Sequence, residues 1–228
     1  MSNYINEFSF RFSLNPATTA LVVVDMQNAT GSLHHGLANH LRAQGRLEES
    51  RYRFDRISSK VIPNTQKLLA YFRKLGAPVI YVTYGSERAD YSDMARHIRG
   101  IVMATKNKIG EPEHDIVDAL TPLTSEPVFN KTTIGAFAST PIDQHLRALA
   151  VSEIVIVGVS TNNCVGMTAM EAADQGYGVV LVSDATGTCS DEMQAAFEEM
   201  FLRLWGRVLS TADTLAELKA AAPVLAAQ

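Results

Sequence analysis

The sequence has few cysteines, no long apolar run and no excess of basic charge, and each shortage excludes a class of protein. Only Cys164 and Cys189 occur among 228 residues, so a disulfide framework is not indicated. No apolar stretch reaches the roughly 20 residues needed to span a bilayer. The N-terminal segment MSNYINEFSFRF lacks a positive region followed by an apolar run. We therefore expect a cytoplasmic protein with reduced thiols and no membrane partner.

The charge balance also limits the partners. Twenty Lys and Arg residues stand against 24 Asp and Glu residues, which gives a net charge of -4 with both signs dispersed. Without a basic block, neither nucleic acid nor an anionic membrane surface is expected to bind. A chain of this length with 46% hydrophobic residues can bury one sizeable core, so residues 1–228 are predicted to form one domain.

Short apolar runs rich in β-branched residues alternate with longer helical patterns along the chain. Runs that are apolar on both faces are typical of parallel strands covered on both sides. The alternation predicts a three-layer α/β/α fold around a six-stranded, mainly parallel, Rossmann-like sheet. Strands are expected at 19–25, 78–84, 127–131, 153–159, 177–184 and 207–210. Helices are expected at 61–76, 114–120, 140–151, 163–176, 191–206 and 211–222, with irregular segments at 26–60 and 85–112 as candidate covers of the site.

Two charged residues stand at strand ends, where an open α/β sheet builds its site. Asp25 ends the first predicted strand, ALVVVD, and Lys131 ends the third, PVFNK. At a shared sheet edge the two side chains could pair. Each also has an ordinary interpretation: Asp25 as a cap for the following turn, and Lys131 as a solvated lysine.

Cys164 lies in the turn GVSTNNCVG, between the fourth predicted strand and the following helix. The positive end of a helix dipole lowers the pKa of a thiol and favours the nucleophilic thiolate. The same turn offers free backbone N–H groups to a developing oxyanion. The alternative is a small buried cysteine that only packs in the helix.

These motifs, taken together, resemble those of the isochorismatase-like cysteine hydrolases. VVVDMQN resembles the D-x-Q element of the family, FNKTTIGAFAST its lysine element, and GVSTNNCV its G-V-x-T-x-x-C-V turn. All three occur in order within residues 18–210. The resemblance implies an isochorismatase-like hydrolase fold, cofactor-free hydrolysis of a small linear amide, and a homo-oligomer, either a dimer or a tetramer.

The resemblance also implies roles for individual residues. Cys164 would attack a carbonyl carbon, Asp25 would accept the thiol proton and later activate water, and Lys131 would hold the aspartate. The peptide bond between Val159 and Ser160 would be cis, and the backbone N–H groups of Ser160 and Cys164 would form the oxyanion hole. Candidate contacts with the substrate are Asn28, Tyr84 and Phe137.

The departures from the family pattern narrow the range of expected substrates. Nicotinamidases of this superfamily carry a metal-binding Asp-x-His element after the second strand, but here the stretch VTYGSERADYSD has no histidine. No metal site is therefore expected, and nicotinamide is disfavoured. A ureide or carbamoyl compound such as biuret, triuret or an N-carbamoyl amino acid is the predicted substrate class.

Two other functions are considered beside amide hydrolysis. One is cleavage of an isochorismate-like vinyl ether, which does not require the cysteine. The other is a catalytically silent binding protein on the same scaffold. Cys189 is interpreted as a packing thiol. The remaining polar clusters are interpreted as solvated or interface residues: His34, His35 and His40, and the basic stretch with Arg42, Arg46, Arg51, Tyr52 and Arg53.

Overall fold

The computed structural model describes residues 4–225 and confirms the predicted sheet. The strands are β1 Thr19–Val24, β2 Val79–Tyr84, β3 Val128–Lys131, β4 Glu153–Val159, β5 Gly178–Gly187 and β6 Arg207–Leu209. Their order across the sheet is β3-β2-β1-β4-β5-β6. Every neighbouring pair is parallel, so the sheet is entirely rather than mainly parallel.

The strands are apolar on both faces because helices cover both faces. In β1, Leu21 and Val23 belong to one core cluster, whereas Val22 and Val24 belong to the other. Successive side chains of a strand point to opposite faces, so this alternation defines three layers. The helices are α1 Asn28–Gly31, α2 Gly36–Ala43, α3 Arg51–Arg56, α4 Ile62–Leu75, α5 Arg96–Ala104, α6 Ile142–Ala148, α7 Gly166–Asp174, α8 Asp191–Leu202 and α9 Thr211–Leu225.

The helices divide between the two faces according to their core contacts. Leu68 of α4 and Leu218 of α9 belong to the first cluster. Leu146 of α6, Ala169 of α7 and Phe201 of α8 belong to the second. Within residues 4–225, no helix has both the length and the apolar character needed to cross a membrane.

Two parts of the predicted secondary structure were wrong. The segment 114–120 forms only a short 3-10 turn, Asp118–Leu120, instead of a crossover helix. A helix is prevented before this turn, because Ile116 forms a bridge with Gln27 and the carbonyl of His114 accepts a hydrogen bond from the Gln27 amide at 2.8 Å. The segments expected to be irregular contain helices α1, α2, α3 and α5.

Gly158 allows β4 to pass close to β1 beside the site. Its φ is +115°, and a Cβ there would overlap the carbonyl oxygen of Val24. We expect Gly158→Ala to lower the free energy of unfolding by about 2 kcal/mol or more, through backbone strain and this overlap. Urea denaturation measures the loss.

Gly110 supplies the matched control, because its φ is +87° but a Cβ there would meet no atom within 4 Å. Gly110→Ala should cost only the backbone strain, about 1 kcal/mol. Equal losses in the two variants would contradict a specific role for the close approach of β4 to β1.

Candidate active site

Three residues predicted to be catalytic converge on the carboxyl edge of the sheet. The strand order reverses between β1 and β4, and ligands of open α/β sheets bind in the crevice at such a point. Asp25 directly follows β1, Lys131 is the last residue of β3, and Cys164 lies in the turn after β4. Parallel strands thus carry all three side chains to the same edge.

Asp25 and Lys131 form a buried ion pair across the end of β2. Lys131 Nζ lies 2.9 Å from Asp25 Oδ2 and also donates to the carbonyl of Thr133 at 3.2 Å. The ammonium lies 4.9 Å from the ring centroid of Tyr84, the last residue of β2. Lys131 is 0% exposed and Asp25 is 1% exposed. The interpretation of Lys131 as a solvated lysine was therefore wrong.

The second carboxylate oxygen of Asp25 is available for chemistry. Oδ1 is buried and has no partner of ordinary hydrogen-bond geometry among residues 4–225. Burial raises the pKa of Asp25, while the charge of Lys131 and the neighbouring Cys164 thiol act in the opposite direction. Burial is the largest influence on the pKa of Lys131 and lowers it, but the charges and hydrogen bonds of Asp25 and Cys164 together outweigh burial, and the net shift is upward. The ammonium therefore stays protonated.

The turn that carries Cys164 is closed around the carbonyl of Ser160. The N–H groups of Asn163 and Val165 donate to this oxygen at 2.9 and 3.2 Å. The π-helical turn Thr161–Val165 then leads directly into α7. The hydroxyl of Thr161 donates to Oε1 of Gln194 on α8 at 2.7 Å, which fixes the turn to its neighbouring helix. The peptide bond between Val159 and Ser160 is cis.

The Cys164 thiol is less acidic than the helix-terminus argument predicts. Burial, followed by the charge of Asp25, raises its pKa to about 12, although Lys131 acts in the opposite direction. The prediction that the helix dipole lowers the pKa of Cys164 is therefore wrong. Removal of the thiolate from water raises this pKa by more than the dipole lowers it. At neutral pH the sulfur carries a proton, and Asp25 is the adjacent group able to accept it.

A cavity of about 330 Å³ opens onto Asp25 and Cys164. Its apolar side is formed by Leu37 from α2, Ile98 and Ile101 from α5, and Ile134. Two of these elements come from the segments predicted to cover the site, 26–60 and 85–112. A cavity of this size suits a small molecule with a few carbon atoms.

The three residues predicted to contact the substrate do not all line the cavity. Tyr84 lines the cavity, but Asn28 and Phe137 lie outside its lining. The Asn28 amide instead donates to the carbonyl of Pro112 at 2.9 Å. The Phe137 ring packs against the core, 6.0 Å from the ring of Tyr177. Contact of Asn28, Tyr84 and Phe137 with the substrate stays a prediction from the sequence.

Two cavity residues were misjudged from the sequence. Cys189 is an exposed free thiol on the cavity wall, not a packing cysteine. Arg53 lines the same cavity, although its basic stretch was interpreted as a solvated or interface loop. The overlooked signal is helical spacing. Arg53 stands four residues before Ile57 and eight before Val61, so it shares their buried face.

No cluster in the described part of the chain brings together three or more His, Cys, Asp or Glu side chains able to hold a metal ion. The histidines at positions 34, 35 and 40 lie on or near the surface and do not line the cavity.

Known proteins resemble this chain in sequence and in structure. A family model described as the isochorismatase domain matches residues 19–213. The ureidoacrylate amidohydrolase RutB of Methylobacterium radiotolerans is 29% identical over 194 residues, which cover 79% of this chain and 71% of that protein. N-carbamoylsarcosine amidase from Thermoplasma acidophilum superimposes with a TM-score of 0.65 at 26% identity, covering 85% of this chain and 96% of that chain.

A cysteine hydrolase from Pseudomonas syringae pv. phaseolicola shares the fold, with a TM-score of 0.76 at 23% identity and coverage of 97% and 100% of the two chains. The doubly covered parallel sheet has its site at the reversal of strand order, and the match to the isochorismatase domain together with the amidohydrolase relatives identifies a hydrolase acting on amide C–N bonds. The chain belongs to the isochorismatase family.

Proposed function

We propose that this enzyme hydrolyses a small linear amide, a ureide or carbamoyl compound, through a covalent intermediate on Cys164. The observation that carries the proposal is the buried Asp25–Lys131 ion pair next to the Cys164 thiol in one small cavity. Amide hydrolysis is also the activity named for ureidoacrylate amidohydrolase RutB and N-carbamoylsarcosine amidase, two relatives of this chain.

In the first half-reaction, Asp25 accepts the thiol proton as Cys164 Sγ forms a bond to the carbonyl carbon. The proton then passes from Asp25 to the leaving nitrogen, the C–N bond breaks, and ammonia or a small amine departs. The carbonyl group remains on the sulfur with its second nitrogen, as a thiocarbamate. Because the thiol has a raised pKa, proton transfer must accompany the attack rather than precede it.

In the second half-reaction, Asp25 removes a proton from water as the water oxygen attacks the thiocarbamate carbonyl, which gives a carbamic acid as the acid product. The C–S bond breaks, the acid product leaves, and the proton returns to the sulfur. Lys131 stays protonated throughout, and its charge favours the ionised form of Asp25 against the effect of burial.

The oxyanion of each tetrahedral intermediate needs donors that are already in position. We assign this role to the backbone N–H groups of Ser160 and Cys164. The proposal is supported by the location of both residues on the cavity wall and by the closed turn that joins them. The cytoplasmic location and the homo-oligomer stay predictions from the sequence.

Ammonia release from a panel of amides tests the proposed reaction. The panel contains ureidoacrylate, N-carbamoylglycine, N-carbamoylsarcosine, biuret and nicotinamide. An isochorismate-type vinyl ether, which releases no ammonia, is tested separately by following its disappearance. We expect turnover of at least one carbamoyl compound and none of nicotinamide. Activity should persist after dialysis against a chelator, because no metal ligand set is predicted.

Inactive Cys164→Ala protein serves as the background control in the same assay. Turnover of the vinyl ether alone would replace amide hydrolysis with ether cleavage. Activity lost with the chelator and restored by one metal would overturn the cofactor-free mechanism.

A further inference from the structure

Arg53 brings a positive charge into the cavity that no protein carboxylate pairs with. Its Nε donates to the carbonyl of Thr30 at 3.1 Å, and its Nη1 donates to Oγ of Ser160 at 2.7 Å. Both acceptors are neutral. Within residues 4–225, no carboxylate lies within 4.0 Å of the guanidinium, and Nη2 has no hydrogen-bond partner. The side chain is partly accessible and lines the cavity.

The acidic groups of the cavity already have other partners. Asp25 is paired with Lys131 at 2.9 Å, and Glu49 with Arg46 at 2.7 Å. These two pairs are neutral overall, so Arg53 leaves the cavity with one unmatched positive charge. Burying a charge without a partner is unfavourable, and a bound anion would supply the missing counter-charge.

Two other partly accessible arginines of this chain are matched to acids. Arg73 pairs with Glu126 at 2.7 Å, and Arg207 pairs with Glu217 at 2.7 Å. In both pairs the guanidinium binds the two carboxylate oxygens, which is the geometry arginine favours. Arg53 has the same donors, fixed in place by Thr30 and Ser160, but faces open space in the cavity instead of an acid.

Arg53 is also close to the reacting groups. Burial lowers its pKa, and the largest opposing influences come from Tyr84, Cys164, Cys189 and Asp25, all of which line the cavity. Arginine remains charged under any ordinary condition. A substrate whose carbonyl carbon meets Cys164 would therefore place its other end within reach of the guanidinium in a cavity of about 330 Å³.

We propose that Arg53 binds a carboxylate of the substrate, so that the enzyme selects carbamoyl compounds that carry an acid group over neutral ones. The inference rests on the proposed amide hydrolysis and adds to it the chemistry of the second end of the substrate. Thr30 and Ser160 hold the guanidinium, and the free Nη2 edge receives the carboxylate oxygens. Neutral ureides such as biuret then become poor substrates.

The test compares N-carbamoylglycine with its methyl ester, which has the same carbamoyl end and no charge. The wild-type kcat/KM should favour the acid by roughly 10- to 100-fold, the range expected for hydrogen bonds to a charged group. Arg53→Gln should reduce this acid-to-ester ratio by a similar factor. Arg53→Lys should give an intermediate ratio, because it keeps the charge but not the planar fork.

Arg56→Gln is the matched control. Arg56 lies one helical turn further along, its side chain is 9% exposed, and it binds the carbonyls of Thr186 and Ser183 at 3.0 and 2.8 Å outside this cavity. Its replacement should leave the acid-to-ester ratio as in the wild type. A ratio unchanged in Arg53→Gln, with both rates lowered together, would overturn the proposal and make Arg53 only a positioning residue for Ser160.

Binding measurements separate this inference from the proposed reaction. Calorimetric titration of Cys164→Ala protein should show tighter binding of N-carbamoylglycine than of the ester, and adding Arg53→Gln should remove the difference. That result without ammonia release from the wild type would support the role of Arg53 while refuting amide hydrolysis. Equal binding of acid and ester by Cys164→Ala protein would refute the role of Arg53.

Discussion

Replacement of Cys164 by alanine should lower turnover by roughly 10³-fold or more while the protein remains folded. The substitution removes only the sulfur, so the core packing around the turn is nearly preserved. Without the sulfur, no covalent intermediate can form, and the remaining groups can only assist direct attack by water. Ammonia release under saturating substrate measures the loss, and circular dichroism confirms the fold.

Cys189→Ala is the matched control for this experiment, because Cys189 is a free thiol on the same cavity wall. Turnover should stay within a few-fold of the wild type. Near-normal ammonia release by a folded Cys164→Ala protein would remove covalent catalysis from the mechanism. Cleavage of the vinyl ether by the same variant would favour the ether-cleaving reaction, with Asp25 acting alone as the acid.

A double variant tests whether the two groups act in one step. Asp25→Asn should cost a factor similar to that of Cys164→Ala, since an amide cannot accept the thiol proton. If the carboxylate and the sulfur act as a unit, Asp25→Asn combined with Cys164→Ala should be scarcely worse than either single change. Losses that multiply would indicate independent roles instead.

Lys131→Met should both inactivate and destabilise the enzyme. Methionine fills a similar volume but leaves the buried Asp25 without the Lys131 charge. Breaking a buried ion pair in this way lowers the free energy of unfolding by about 3 to 5 kcal/mol. The pKa of Asp25, already raised by burial, should rise further, so that the carboxyl is protonated and cannot accept the thiol proton. Urea denaturation and ammonia release measure the two effects.

The destabilisation of Lys131→Met should depend on pH with a defined sign. A carboxyl group whose pKa is higher in the folded than in the unfolded state favours folding below its unfolded pKa. That contribution is lost as the pH rises through the folded pKa. The variant should therefore be least stable at high pH and should recover part of the loss on acidification.

A second change provides the control for this effect. Asp25→Asn combined with Lys131→Met removes the buried charge altogether, so it should be more stable than Lys131→Met alone but equally inactive. Lys67→Met serves as a reference for loss of an exposed lysine, whose ammonium donates to Oδ1 of Asn64 at 2.9 Å. A loss of less than about 1 kcal/mol in Lys131→Met would contradict a structural ion pair.

Much of the fold can be predicted from the sequence, since a strand buried on both faces must be apolar without interruption. The six strands and the crossover helices that follow β3, β4 and β5 were predicted in this way. The segment 114–120 was not, because its hydrophobic spacing fits a helix while its backbone pairs with Gln27. The hydrophobic periodicity of a short segment gives no information about a pairing partner that is distant in the chain.

By itself the sequence determined which residues stand at strand ends, and hence that Asp25, Lys131 and Cys164 meet at one edge of a parallel sheet. Only the tertiary structure decided their electrostatics. The pKa of the Cys164 thiol is raised by burial, which depends on every element that packs around the thiol. The helix dipole, by contrast, depends only on the local turn and can be inferred from the sequence. The placement of Arg53 in the cavity was likewise decided by how the segment after β1 folds over the sheet edge, which depends on contacts distant in the chain.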